Sequence, residues 1–84
     1  MAKILIFTTR ICPYCIHAKH LLQRKGVPFQ EIRVDEDREQ LRIMTERSRR
    51  RTVPQIFIDD FHVGGFDDLA TLEASGELDP LLRR

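Results

Sequence analysis

Cys12 and Cys15 are the residues in this chain best suited to chemistry, and they are its only cysteines. They enclose just Pro13 and Tyr14, so a bridge between them closes a very small loop and constrains the unfolded chain little. The pair is therefore not the framework of a disulfide-stapled secreted domain. A C-x-x-C pair between a strand and a helix points instead to thiol–disulfide exchange. Position supplies the mechanism. Cys12 is expected at a helix N-cap and Pro13 at the first helical position, where proline is favoured. The free N–H groups and positive dipole end of the helix then face the Cys12 sulfur. They favour the thiolate, which is the nucleophile. Cys15 lies close to one turn further on, in line with the apolar face, and is expected deeper, as the resolving thiol. Arg10 adds positive charge nearby. Tyr14 is expected to be exposed beside the sulfur, offering a ring and a hydroxyl to a substrate.

Metal binding is the rival use of such a pair. A zinc-ribbon site needs a second cysteine pair, which this chain lacks. His17 and His20 complete a four-ligand set only on paper, because with Cys15 they span a wide arc of one helix. Attachment of a c-type haem needs histidine where Ile16 stands. No metal is expected, and both histidines are read as surface helix residues.

Several elements must position the pair. Lys3 to Thr8 (KILIFT) is nearly continuous in apolar residues and reads as a buried strand. Thr9 to Pro13 forms a loop. Tyr14 to Lys25 has helical spacing, with Cys15, Ala18, Leu21 and Leu22 on one face and Gly26 as a stop. Phe29 to Val34 alternates and reads as a second strand. Asp35 can cap a helix over roughly Arg38 to Ser48, with Leu41 and Met44 inward. Gln55 to Ile58 and Phe61 to Val63 read as strands joined at Asp59-Asp60. Gly64-Gly65 ends the last strand, and a helix opened by Asp67 or Asp68 runs to about Ser75. The order βαβ-α-ββα predicts an α/β domain over residues 1–84, with parallel strands in the βαβ unit, a right-handed crossover and an antiparallel hairpin.

Bulk properties narrow the class. With 84 residues, 42% hydrophobic and 32% charged, the chain fits one small soluble domain. Its longest apolar run near the start, Ile4 to Phe7, is too short for a signal peptide or a membrane span, so a cytoplasmic location is expected. Net charge is +1 but unevenly spread: residues 1–58 hold 12 Lys and Arg against 6 Asp and Glu, whereas 59–79 hold 7 acids and no Lys or Arg. Arg49-Arg50-Arg51 is the densest basic run. It reads mainly as a solvated loop, with attraction of an acidic ligand as the functional alternative. Aromatic residues are too sparse around it to argue nucleic-acid binding.

The chain resembles the glutaredoxins almost end to end. CPYC at Cys12 to Cys15 is similar to their dithiol active site. Thr52-Val53-Pro54 followed by QIFID resembles their TVP loop and the strand after it. Gly64-Gly65-Phe66-Asp67-Asp68-Leu69 resembles their GG-x-DD-L segment, and LDPLL near the end has a bacterial glutaredoxin look. The resemblance implies a thioredoxin-like fold with a four-stranded mixed sheet and three helices. It implies a cis Val53–Pro54 bond and glutathione as reductant. Thr52, Val53 and Pro54 would flank its cysteinyl unit, with Val53 pairing like a short strand. Gly65 and Phe66 would lead into a helix whose first N–H groups hold the γ-glutamyl carboxylate. Asp67, or Asp68, would accept from the ammonium. Tyr14 and Arg10 complete the implied glutathione contacts, Arg10 because Thr9 stands where many glutaredoxins carry a base. The implied partners are disulfide-containing or glutathionylated proteins, ribonucleotide reductase among them by analogy. A monomer is expected, with no nucleic acid and no membrane. Two variants share this resemblance: an electron donor reduced by thioredoxin reductase, and an iron–sulfur carrier. GGFDD argues against the first and Pro13 against the second.

Overall fold

A computed structural model describes residues 2–83. Its elements are β1 (Ile4–Thr8), α1 (Pro13–Arg24), β2 (Gln30–Arg33), α2 (Arg38–Ser48), β3 (Gln55–Ile58), β4 (Phe61–Gly64), α3 (Phe66–Ser75) and α4 (Leu78–Leu82). The strands form one mixed sheet in the order β2-β1-β3-β4. β1 runs parallel to β2, with Phe7 opposite Ile32, and antiparallel to β3, with Leu5 opposite Phe57. β3 and β4 form the antiparallel hairpin.

Period-two alternation splits the sheet into two faces, and each face has its own core. Ile4, Ile6, Ile56 and Ile58 pack with Ala18, Leu21 and Leu22 of α1 and Leu69 of α3. Phe7 and Phe57 point the other way and pack with Val34 and Met44, the latter from α2. The two rings meet edge to face, with centroids 6.0 Å apart. β1 is therefore covered on both sides, which explains its unbroken apolar run.

Helix α4 is an addition to the three expected helices. It spans five residues, too short for periodicity to reveal, and it forms because Leu78 and Leu82, one turn apart, are both buried in the first core. The remaining elements match the expected ones to within a residue or two, the usual scatter of element ends, but α2 is capped by Asp37, which accepts from the Glu39 and Gln40 N–H groups, and not by Asp35.

α2 ends without glycine. Arg49 takes the left-handed conformation (φ 62°) as its C-cap. Buried Ser48 secures this turn: its Oγ donates to the Met44 carbonyl at 2.7 Å and accepts from the Arg50 N–H at 3.0 Å. The basic run thus starts from a defined turn, and it directs Arg50 toward α3.

Leu22 is fully buried between α1 and the sheet, whereas Ile11 is 86% exposed. Leu22→Ala should lower the unfolding free energy by about 2–5 kcal/mol, and Ile11→Ala should stay within about 0.5 kcal/mol of the parent. Urea titration of both variants checks the contrast.

Candidate active site

β1 ends at Thr8, and four residues later Cys12 begins α1 as its N-cap, in extended conformation (φ −155°, ψ 95°). Pro13 occupies the first turn. Cys12 Sγ accepts a hydrogen bond from the Cys15 N–H at 3.1 Å. The two cysteines are joined as a disulfide, with Cα atoms 5.2 Å apart. When that bond is reduced, the same N–H and the helix end face the Cys12 sulfur and stabilise negative charge there. Cys12 is 8% exposed and Cys15 2%, so an incoming disulfide meets Cys12 first. The loop before Cys12 is pinned by Asp35, which accepts from the Arg10 N–H at 3.1 Å. The Arg33 guanidinium, and after it that N–H, hold the Asp35 carboxyl down at about 2.

Across from Cys12 lies the 52–54 loop. The Val53–Pro54 bond is cis, and the Val53 carbonyl stands 3.9 Å from Cys12 Sγ. Beside this contact a cleft of about 260 Å³ opens. Its walls contain Tyr14, Thr52, Val53, Pro54, Gly65, Phe66 and Asp67, so these sequence-expected residues are brought together. Tyr14 is 61% exposed. Its ring stacks with Phe66, centroids 6.4 Å apart, and His17 packs on Phe66 from the same helix at 5.7 Å. Phe66 therefore walls the cleft without filling it. Arg10 is not part of the lining; it is exposed and held by its backbone near Asp35.

Three further residues line the cleft: Arg50, Gln55 and Asp68. Asp68, expected as an alternative to Asp67, has a structural role of its own. Asp68 Oδ2 accepts from the Gly65 N–H at 2.9 Å, closing the first turn of α3, and also pairs with Arg50 Nη1 at 3.2 Å. The Gly65 N–H, and after it the Arg50 guanidinium, hold the Asp68 carboxyl below the usual aspartate range. Asp67 lies exposed on the same turn and lines the cleft. The Arg49-Arg50-Arg51 run carried only the general signal of attraction for an acidic ligand, and Gln55 carried none. Arg50 sat in a basic run with no sign of which member turned inward, and Gln55 was one polar residue in a strand.

The glycine pair divides in the same way. Gly64 has φ +114°, and a Cβ there would run into the Asp68 carboxylate, with Arg50 Nη1 at 3.2 Å. Gly65 has φ −90°, and a Cβ would meet only the Pro54 carbonyl at 3.6 Å, an ordinary contact. Only Gly64 is demanded by the backbone and its surroundings.

The glutaredoxin family model matches residues 4–63. The chain is 54% identical to Glutaredoxin 3 of Escherichia coli K12 over 83 residues, covering 99% of this chain and all of that one. The chain belongs to the glutaredoxin family. The solution structure of glutaredoxin from Brucella melitensis superposes with a TM-score of 0.86 at 52% identity, over 98% of this chain and 89% of that one. The buckwheat glutaredoxin–glutathione complex superposes with a TM-score of 0.89 at 28% identity, over 98% and 77%. The fold is thus the thioredoxin-like one, and Cys12-Pro13-Tyr14-Cys15 is a glutaredoxin's redox-active dithiol.

Two outcomes follow from the α3 cap. Gly64→Ala should destabilise by about 2–4 kcal/mol, combining backbone strain with displacement of the cap, while Gly65→Ala should cost under about 1 kcal/mol; thermal melts compare them. Because the folded Asp68 is more acidic than the unfolded one, its stabilisation is complete above about pH 4 and disappears as pH falls through the depressed value. Asp68→Asn should therefore be less stable at pH 7 and show a shallower loss of stability below pH 4, read from urea midpoints across pH.

Proposed function

We propose that this glutaredoxin reduces glutathione mixed disulfides and protein disulfides, with Cys12 as the attacking thiolate, Cys15 as the resolving thiol and glutathione as the reductant. The observation that carries this reading is the placement of Cys12 Sγ at the start of α1, 3.9 Å from the Val53 carbonyl and beside the cleft. Glutathione brings a thiol, two carboxylates and one ammonium, and the surrounding groups suit each. Val53 offers an N–H and a carbonyl to the cysteinyl unit, in the manner of strand addition. The first turn of α3 offers free N–H groups to the γ-glutamyl carboxylate. The Asp67 carboxylate suits the ammonium, and Arg50 adds a cation on the same wall. Tyr14, Thr52, Pro54, Gly65 and Phe66 shape the remaining surface. The glutathione-bound state of the buckwheat relative supports this assignment.

The chemistry is two thiol–disulfide exchanges. Cys12 thiolate attacks the glutathionyl sulfur of a mixed disulfide, and the substrate leaves as its thiolate. A second glutathione attacks the glutathionyl sulfur held on Cys12, releasing glutathione disulfide and regenerating the Cys12 thiolate. With a protein disulfide, Cys12 forms the mixed disulfide first. Cys15 then attacks Cys12 Sγ, releases the reduced protein and leaves the Cys12–Cys15 bridge, which two glutathiones reduce. The reading extends to one domain over residues 1–84 acting as a cytosolic monomer, with enzymes that use redox-active disulfides, such as ribonucleotide reductase, as targets. Among the described residues, no helix is long and apolar enough to cross a membrane.

The test couples reduction of a small glutathione mixed disulfide to NADPH consumption through glutathione reductase. Cys12→Ser should lower the rate more than about a thousandfold. Cys15→Ser should still turn over this substrate and fail on a protein disulfide. Native protein that is inert with glutathione yet reduced by thioredoxin reductase would overturn the assignment.

A further inference from the structure

We propose that Gln55, backed by His62, is a positioning residue for the glutathionyl group: its buried side-chain amide fixes the Thr52 carbonyl and so holds the Val53 backbone in place before Cys12. The inference rests on the glutathione reading above. Gln55 is 1% exposed, in a strand whose other members are Ile56, Phe57 and Ile58. A buried amide there is unfavourable unless it is fully hydrogen-bonded. It is. Nε2 donates to the Thr52 carbonyl at 3.0 Å and to the Thr52 hydroxyl at 3.3 Å. Oε1 lies 2.7 Å from Nε2 of His62 on β4.

Hydrogen-bond logic fixes the direction of this chain. The Thr52 carbonyl can only accept, so the NH₂ end of Gln55 must face it. The amide oxygen then faces His62, whose Nε2 must carry a hydrogen. That N–H is present in the charged ring and in the neutral tautomer protonated at Nε2, the one that the Gln55 oxygen selects, so the chain runs from His62 to Gln55 to Thr52 in either state. The His62 ring is itself held by stacking on Phe57, centroids 4.9 Å apart at 28°. The hairpin thus reaches across to a loop that lies outside any helix or strand. The end of that tether is one peptide bond from the Val53 N–H. Without it, residues 52 and 53 gain freedom that a ligand pairing with Val53 must remove, which weakens binding.

Two equilibria on a Cys15→Ser background separate positioning from a general effect on the nucleophile. The first is Cys12 thiol plus glutathione disulfide giving the Cys12–glutathione mixed disulfide plus glutathione. The second is the same exchange with bis(2-hydroxyethyl) disulfide, which has no peptide to pair with Val53. Both are read by mass spectrometry after acid quench. Adding Gln55→Leu should lower the first constant about five- to tenfold and leave the second within about twofold. Adding His62→Phe, which keeps a ring on Phe57 and removes the donor, should lower the first about two- to threefold. Equal shifts in both exchanges, or no shift in either, overturn the inference. If Gln55→Leu does not fold, His62→Phe decides on the same terms. A Cys15→Ser parent with no preference for glutathionyl over hydroxyethyl would overturn the glutathione reading itself, whatever Gln55 does.

Discussion

The hydrogen bond from the Cys15 N–H to Cys12 Sγ ties the nucleophile to the first turn of α1, and much of the surrounding structure serves to hold that turn still. Pro13 has no N–H to offer, so the first donors available to the sulfur come from the residues after it. The turn can sit where it does because β1 is anchored on four sides, by β2, by β3 and by a core on each face. Only three residues separate the end of β1 from Cys12, and Asp35 holds the Arg10 N–H within them. Asp35 is itself fixed by two hydrogen bonds from Arg33, at 2.8 and 2.6 Å. A chain that reached α1 through a long free loop would leave the helix end present and the sulfur wandering.

The opposite wall of the cleft is built differently, from polar side chains that tether irregular backbone. Asp68 closes α3 onto Gly65, and Gln55 closes the 52–54 loop onto β3. The two bonds of Asp68 are unequal. A carboxylate accepting a backbone N–H is a charge-assisted bond within a helix turn. The ion pair to Arg50 joins side chains 49% and 47% exposed, and such pairs contribute about 0–1 kcal/mol. Asp68 thus keeps α3 capped while Arg50 is only lightly held. A ligand carboxylate can recruit Arg50 at little cost to the fold.

What sequence could read here follows from the range of the interactions involved. The C-x-x-C helix start, the strand alternation and the faces of α1 and α2 depend on neighbours within one or two turns, and all were legible. So was the family likeness carried by Cys12 to Cys15, Thr52 to Pro54 and Gly64 to Leu69. The role of Asp68 was half legible: a carboxylate at the third helical position can reach back to the cap, but the same spacing allows Asp67 to be chosen. Arg50 and Gln55 were not legible as cleft residues. Arg50 depends on a left-handed Arg49, a conformation that glycine or asparagine would have signalled and arginine does not. Gln55 depends on His62 across a hairpin whose register shifts between Ile56 and Phe57. Arg10 was placed by sequence proximity to Cys12; its backbone N–H bonds to Asp35, and the residue is not part of the cleft lining.

The uneven charge of the sequence gains its meaning in space. The acidic stretch from 59 to 79 is met by bases from the earlier part of the chain: Lys25 reaches Glu73 and Asp79, at 2.6 and 3.0 Å, and Arg50 reaches Asp68. Glu73 and Asp79, in that order, hold Lys25 above the usual lysine value. These contacts join segments far apart in sequence, and they leave the cleft with charges of both signs, Arg50 from the basic half and Asp67 from the acidic one. The free N–H groups at the start of α3 add a second positive end. A purely anionic ligand would leave Asp67 opposed, and a purely cationic one would meet Arg50 and the helix end. Glutathione, the ligand proposed above, carries charges of both signs. The polarity of the sequence therefore serves first to join early and late segments of the fold, and it leaves charges of both signs on the cleft wall.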